Sequence, residues 1–136
     1  MEKQITILIA DDNDMMRETL CMIVSLMNNV KLIREAKNGA EAILLANEIS
    51  PDIILMDVNM TPVNGFEATR KILKQNSKIK IIGISVHRQA SYAKNMLQLG
   101  AMGYLIKTSP YTEIMNAINT VAAGEKYIDK EIKNSL

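Results

Sequence analysis

The stretch DIILMDVNM, residues 52–60, places a carboxylate at the end of an otherwise apolar run. The continuous apolar residues Ile53 to Met56 are typical of a strand that is covered on both faces of a parallel sheet. A carboxylate at the end of such a strand costs free energy unless something beside it binds charge. Asp57 is therefore the first candidate for a functional residue.

Apolar runs alternate with amphipathic stretches on both sides of this strand. The other runs are ITILIA (5–10), VKLIREA (30–36), KIIGI (80–84) and GYLI (103–106). Between them apolar residues recur at helical spacing, as in Met16, Leu20, Ile23, Val24 and Met27. Ser109 and Pro110 predict the start of the last helix, with Ser109 as its cap. Alternating strands and helices predict one α/β domain, in which a parallel sheet carries helices on both faces.

Composition limits the class of protein. A chain of 136 residues with 48% apolar and 23% charged residues fits one globular domain. The net charge of +1 gives no basis for direct binding to nucleic acid or to a membrane surface. No run reaches the ~20 apolar residues of a membrane span, and residues 1–10 lack the features of a signal peptide. The single cysteine, Cys21, is expected to pack in a helix and suits a reducing compartment, so we expect a cytoplasmic protein.

Polar side chains stand at the ends of four of the five predicted strands. Asp11 and Asp12 follow the first strand, and the others are Asp57, Ser85 and Lys107. The carboxyl ends of parallel strands meet at one edge of the sheet, so these side chains are expected to lie together. Clustered carboxylates repel one another, and Mg2+, which takes oxygen ligands, removes that repulsion.

This set of residues predicts phosphoryl transfer to a carboxylate. Three carboxylates, one lysine and one Mg2+ sum to zero charge, which leaves the site able to accept an incoming phosphoryl group. An aspartate can act as a nucleophile and carry an acyl phosphate. The transfer needs mainly positioning and charge neutralisation, which Mg2+ and a lysine supply. Ser85 could then donate a hydrogen bond to a phosphoryl oxygen.

The sequence resembles the receiver domain of two-component response regulators over roughly residues 4–124. The resemblance rests on DD (11–12), MDVNM (56–60), NGFEATRKI (64–72), IIGIS (81–85) and GAMGYLIK (100–107). It implies a single (βα)5 flavodoxin-like domain with a parallel five-stranded sheet in the order 2-1-3-4-5. It also implies a phosphoacceptor signalling domain rather than an enzyme, with a histidine kinase or a phosphotransfer protein as the phosphodonor.

The same resemblance assigns roles to individual residues. Asp57 matches the phosphoacceptor, Lys107 the phosphoryl-binding lysine, and Ser85 and Tyr104 the switch pair, in which Tyr104 turns inward after phosphorylation. The Mg2+ ligands that it implies are Asp12 and Asp57 directly, Asp11 largely through water, and the backbone carbonyl of Asn59.

Two departures from the usual receiver pattern are visible. Thr61 stands where a proline is usual, and the proline that commonly follows the lysine is delayed to Pro110. GYLIKTSP and AINTVAAGEKYI are similar to the NarL/FixJ subgroup, whose receivers precede a LuxR-type helix-turn-helix domain. The resemblance therefore implies a receiver over 1–124 and, over 125–136, a linker toward an effector domain outside this sequence. Output would then be transcriptional, and phosphorylated receivers could pair as homodimers.

Other functions stay open at this point. A stand-alone receiver would act through protein–protein contacts, and a Mg2+-dependent phosphatase with an aspartyl-phosphate intermediate would use a similar scaffold. Such phosphatases typically have a second acid two residues after the nucleophile, where this chain has Asn59. A flavin- or nucleotide-binding domain favours a glycine-rich first loop, which ADDNDMM (10–16) is not. His87, the only histidine, is expected to be a loop residue beside the site.

Overall fold

The computed structural model describes residues 3–136, in which strands and helices alternate as predicted; residues 1 and 2 of the predicted domain lie outside the described part. The strands are β1 (Ile5–Ala10), β2 (Val30–Ala36), β3 (Ile53–Asp57), β4 (Lys80–Ser85), β5 (Gly103–Ile106) and β6 (Tyr127–Ile128). The helices are α1 (Asp14–Ser25), α2 (Gly39–Ile49), α3 (Gly65–Gln75), α4 (Ala90–Gln98) and α5 (Tyr111–Ala122), followed by a 3-10 turn at Lys133–Ser135.

The sheet is parallel throughout and has the order β2-β1-β3-β4-β5-β6. The predicted order 2-1-3-4-5 is present within it, but the predicted number of five strands is wrong, because β6 adds a sixth beside β5. The extra strand forms when Tyr127 N donates to Met102 O (3.0 Å) and Asp129 N donates to Tyr104 O (2.9 Å). A strand of two residues is too short to show an alternating pattern in the sequence.

The sheet is covered on both faces, as the continuous apolar strands predict. Along β3, Ile54 and Met56 face one core cluster, to which α2, α3 and α4 contribute. Ile53 and Leu55 face the opposite cluster, to which α1 and α5 contribute. Side chains alternate between the faces of a strand, so a strand between two helix layers has no position that can be polar until it ends.

Asparagine caps start the first three helices at the carboxyl edge of the sheet. Asn13, Asn38 and Asn64 each accept a hydrogen bond from the backbone N–H three residues later, at 2.8, 2.8 and 2.9 Å. The prediction that Ser109 caps the last helix is wrong. Pro110 occupies the cap position of α5, and the Ser109 hydroxyl donates to Asp129 instead. A distant buried carboxylate thus binds the hydroxyl that local pattern assigned to the helix.

The segment 125–136, which the resemblance implies is a linker, packs against the domain. Ile132 is 2% exposed and belongs to the cluster beneath α2, α3 and α4. Asp129 is fully buried, and Tyr127 packs against the cluster on the other face. The linker role assigned to this segment stays a prediction, but the segment is also part of the fold.

Replacing Ile132 with alanine should lower the free energy of unfolding by about 2–5 kcal/mol, because the change empties a buried site. The matched control is Leu136→Ala in the same segment, where the side chain is 44% exposed and the expected effect is within about 0.5 kcal/mol. Urea denaturation of both variants measures the difference. Equal, small effects would show that the segment does not pack in solution.

Candidate functional site

The three predicted carboxylates lie together at the carboxyl edge of the sheet. Ala10 of β1 pairs with Met56 of β3, so Asp11 and Asp57, the residues that follow, leave adjacent strands side by side. Asp11 is fully buried, Asp57 is 1% exposed, and Asp12 faces solvent. One ligand atom from each of the three lies within 4.8 Å of those of the other two. The structure therefore brings together the acidic cluster that the strand ends predicted.

Lys107 connects the two buried carboxylates. Its Nζ atom lies 2.9 Å from Asp11 Oδ2 and 3.3 Å from Asp57 Oδ2, and its side chain is 14% exposed. The other oxygens are held by backbone groups, since Asp11 Oδ1 accepts from Asn13 N (2.9 Å) and Asp57 Oδ1 from Asn59 N (3.0 Å). Each carboxylate is thus fixed in orientation by one oxygen, while the other faces the lysine.

The same two oxygens fit a metal site. Within residues 3–136, Asp11 Oδ2 and Asp57 Oδ2 are the buried side-chain oxygens that accept no hydrogen bond, although both face the Lys107 charge. Buried oxygens are rarely left without a hydrogen bond, and an ion is one accepted reason for an exception. Two buried carboxylates, one exposed carboxylate and one ammonium leave net negative charge, which a hard divalent cation would neutralise.

Arg17 belongs to this site, and sequence reasoning missed it. It is 6% exposed on the inner face of α1, where its guanidinium donates to the backbone carbonyl of Asp11 at 2.8 Å. It also donates to Asp14 Oδ1 (2.6 Å) and to Glu35 Oε1 (3.2 Å) on β2. The available signal was its position between the apolar residues Met16 and Leu20, where a buried charge requires partners.

The predicted switch residues lie beside the carboxylates. Ser85 Oγ donates to Asn59 Oδ1 (2.7 Å) and accepts from His87 N (3.0 Å). Tyr104 is fully buried, and its hydroxyl donates to His87 O (3.0 Å), which corresponds to the inward position that the resemblance implies. Its turn on phosphorylation stays a prediction. His87 lies in the loop between β4 and α4, where its ring stacks on Tyr92 at 4.5 Å.

The loop after Asp57 brings backbone close to the site. Gly65 N donates to Val58 O (3.1 Å), and a Cβ atom at Gly65 would lie 2.3 Å from the Asp57 carbonyl oxygen. Because the loop returns this close to the end of β3, only glycine fits at this position. The peptide bond between Thr61 and Pro62, where this sequence departs from the usual pattern, is cis.

Burial raises the pKa of Asp57 from its ordinary value of 3.8 to about 6. The hydrogen bond from Asn59 N lowers that pKa, the Asp11 carboxylate raises it, and the Lys107 ammonium lowers it. Desolvation dominates because it penalises the charged form of a group that has little access to water. A cation bound beside Asp57 would favour the charged form.

Comparison with known proteins identifies this arrangement. The family model described as "Response regulator receiver domain" matches residues 7–119. The chain belongs to that family. The receiver is 35% identical to the response regulator GacA of Pseudomonas protegens over 97% of this chain and 62% of that protein. It is 34% identical to the transcriptional regulatory protein DegU of Brevibacillus brevis over 99% of this chain and 57% of that protein. The chain thus spans less than two thirds of the length of these relatives.

Solved structures support the same family and subgroup. A LuxR-family two-component response regulator from Aurantimonas sp. superposes with a TM-score of 0.93, at 28% identity, over 97% of this chain and 94% of that chain. The receiver domain of a putative response regulator NarL from Mycobacterium tuberculosis gives a TM-score of 0.86, at 29% identity, over 91% and 100% of the two chains. The receiver is therefore of the NarL/FixJ type.

Family membership establishes the general class of activity. Receiver domains are signalling domains that interact with histidine kinases or other phosphodonors and with effector domains, and they bind Mg2+ in an acidic pocket. Among the described residues of this receiver, no helix is both long enough and apolar enough to cross a membrane.

Asp57→Asn should stabilise the metal-free domain at pH 7.5. The folded-state pKa of about 6 lies above the ordinary 3.8, so the folded state binds a proton more tightly than the unfolded state does. Stability from this group is present below about pH 4 and is lost as pH rises toward 6. Urea denaturation in EDTA should therefore give the variant a larger advantage at pH 7.5 than at pH 4.5.

The control for this measurement is Glu48→Gln, a change of the same kind at an exposed position of α2. It should shift the free energy of unfolding little at either pH. An advantage of Asp57→Asn that is equal at both pH values would contradict the raised pKa.

Proposed function

We propose that this receiver accepts a phosphoryl group on Asp57 and that Lys107, Asp11 and Asp12 support the transfer. The observation that carries the proposal is the Asp57 carboxylate, which is 1% exposed and has one oxygen fixed by Asn59 N. Its other oxygen accepts no hydrogen bond and lies 3.3 Å from Lys107 Nζ. An oriented, poorly solvated carboxylate next to a cation suits nucleophilic attack on phosphorus.

The phosphodonor is a phosphohistidine of a histidine kinase or of a phosphotransfer protein. A carboxylate oxygen of Asp57 forms a bond to phosphorus while the bond between phosphorus and the donor nitrogen breaks. The electron pair of the broken bond stays on the imidazole, which then takes up a proton from water. The Lys107 ammonium attracts the negative phosphoryl oxygens throughout the transfer.

The residues that would hold Mg2+ are the side chains of Asp11, Asp12 and Asp57 and the backbone carbonyl of Asn59. The orphaned oxygens of Asp11 and Asp57 support this assignment. When bound, Mg2+ supplies charge neutralisation for the phosphoryl group and for the carboxylates. Asn59 itself cannot act as the second acid of an aspartate-based phosphatase, and its side-chain oxygen already accepts from Ser85.

Ser85 is the switch residue in this proposal. Its hydroxyl leaves Asn59 and donates to a phosphoryl oxygen, while Tyr104, which is buried, holds the loop 86–89 through His87 O. Shifting a two-state equilibrium from 1:99 to 99:1 needs about 5.5 kcal/mol. Hydrogen bonds to a charged group contribute about 1.5–3 kcal/mol each, so two bonds near the upper value or three of about 2 kcal/mol supply that amount.

The output is proposed to be transcriptional. The NarL/FixJ type of this receiver supports a LuxR-type DNA-binding domain beyond residues 125–136, as does the name of DegU, a transcriptional regulatory protein. In a longer protein that joins this receiver to such a domain, the phosphorylated receiver would act by pairing with a second copy or by releasing the effector domain. The net charge of +1 supports contact with DNA through the effector and not through the receiver.

Asp57→Asn should abolish phosphate uptake from acetyl phosphate in the presence of Mg2+, because the variant lacks the nucleophile. Intact-mass spectrometry measures the label, and EDTA added before the phosphodonor should prevent labelling of the wild-type protein. Asp52→Asn is the matched control, since Asp52 lies at the opposite edge of the sheet and accepts from Thr6 N at 2.8 Å. Undiminished labelling of Asp57→Asn would refute the assignment.

Ser85→Ala should take up phosphate but lose most of the conformational response, because it cannot donate to the phosphoryl group. Amide NMR shifts of the loop 86–89 and of α4 measure that response before and after phosphorylation. Ser25→Ala is the control, since Ser25 is exposed and its hydroxyl donates to Met22 O within α1. A full response in Ser85→Ala would exclude Ser85 as the switch.

A further inference from the structure

Asp129 is a fully buried carboxylate that the proposed chemistry does not use. Its Oδ2 atom accepts from Ile106 N (3.0 Å) and from the Ser109 hydroxyl, and its Oδ1 atom accepts from Glu131 N (3.1 Å). Burial of a carboxylate is unfavourable unless hydrogen bonds replace the lost water. Here two of the three replacements come from the two ends of one short loop.

That loop carries Lys107. Ile106 precedes the lysine and Ser109 follows it by two residues, so both ends of the arch 106–109 are bound to the same carboxylate oxygen. Ser109 N also donates to Ile106 O (3.0 Å), which closes the arch. The Lys107 side chain extends from this arch to Asp11 and Asp57. Lys107 N donates to Ser85 O (2.8 Å) at the end of β4, so β4 holds the arch on one side and Asp129 holds it on the other.

The segment around Asp129 is itself fixed to the domain. Glu113 on α5 accepts from the Tyr127 hydroxyl and from Lys130 N, both at 2.9 Å, and Ile132 is buried. Arg88 adds an exposed ion pair with Glu131 and lies 3.4 Å from the Thr108 hydroxyl. Exposed pairs contribute little, so the buried Asp129 is the principal tether between this segment and the arch.

We propose that Asp129 is a positioning residue for phosphoryl transfer, which holds the arch 106–109 so that Lys107 Nζ stays between Asp11 and Asp57. This inference rests on the proposed function of Asp57. Asp129 contacts no reacting atom and acts only through Lys107. Replacing Asp129 by asparagine removes the charge and one of the two accepting oxygens, while it keeps the size of the side chain.

A double-mutant cycle on the whole chain tests the inference. The variants are Asp129→Asn, Lys107→Ala and the combination, and the rate of phosphate uptake from acetyl phosphate with Mg2+ is followed by intact-mass spectrometry. A misplacement of about 1 Å can cost on the order of 100-fold in rate. Asp129→Asn keeps one accepting oxygen and should displace Lys107 by less, so it should lower the rate roughly tenfold. The same change should add no further loss to Lys107→Ala, because residues that act through one another are not additive.

A second measurement separates positioning from a general structural effect. Mg2+ affinity, measured by calorimetry, should not fall in Asp129→Asn, since the three carboxylates stay in place and a displaced Lys107 ammonium repels the cation less. A fall in affinity would indicate a general structural effect and overturn the inference. Asp52→Asn is the matched control, because Asp52 also accepts from a strand backbone N–H but at the opposite edge of the sheet. Its phosphorylation rate should equal that of the wild type.

Ser109→Ala guards against misfolding of Asp129→Asn. It removes one bond to Asp129 and keeps the carboxylate, so it should lower the rate in the same direction by a smaller factor. An unchanged rate in both Asp129→Asn and Ser109→Ala, or an equal loss with and without Lys107, overturns the inference. Failure of the wild-type protein to take up label at Asp57 would instead overturn the proposed function, which distinguishes the two.

Discussion

The ion pairs of Lys107 with Asp11 and Asp57 are the interaction on which the rest of the site depends. Two carboxylates at the ends of adjacent buried strands repel each other, and burial raises the pKa of Asp57. One ammonium at 2.9 and 3.3 Å offsets part of that repulsion and leaves net negative charge at the edge of the sheet. In the proposed mechanism, a site of this charge binds a divalent cation and, once neutralised, accepts a phosphoryl group.

Neighbouring groups fix this charge arrangement in place. Asn13 N and Asn59 N each bind one oxygen of a buried carboxylate, and Arg17 binds the backbone carbonyl of Asp11. Donors that are already oriented need no reorganisation when charge moves during transfer, which is the main source of electrostatic catalysis. The glycine at position 65 serves the same end, because its lack of a Cβ atom lets the loop close against Asp57.

Contacts extend from the site to the last residues of the chain. Tyr104 and the Lys107 arch lie on β5 and directly after it, and β6 with Asp129 binds both through backbone and carboxylate groups. A rearrangement of the arch would therefore change the contacts of segment 125–136. Coupling between the site and this segment needs an element with two arrangements. The Ser85 hydroxyl is such an element in the proposed mechanism, because it donates either to Asn59 or to the phosphoryl group.

Local pattern in the sequence is enough to predict the α/β class, the first five strands and the cluster of Asp11, Asp57 and Lys107. These follow from local rules: continuous apolar runs predict buried strands, and parallel strands end at one edge. The strand β6, the burial of Tyr104 and the contacts of Arg17 and Asp129 follow from the tertiary structure alone. Asp129 binds Ile106 across 23 residues, and Arg17 binds Glu35 across 18. A strand of two residues is too short to show an alternation of apolar and polar residues. Such contacts depend on which segments the fold brings together, and local pattern carries no information about that.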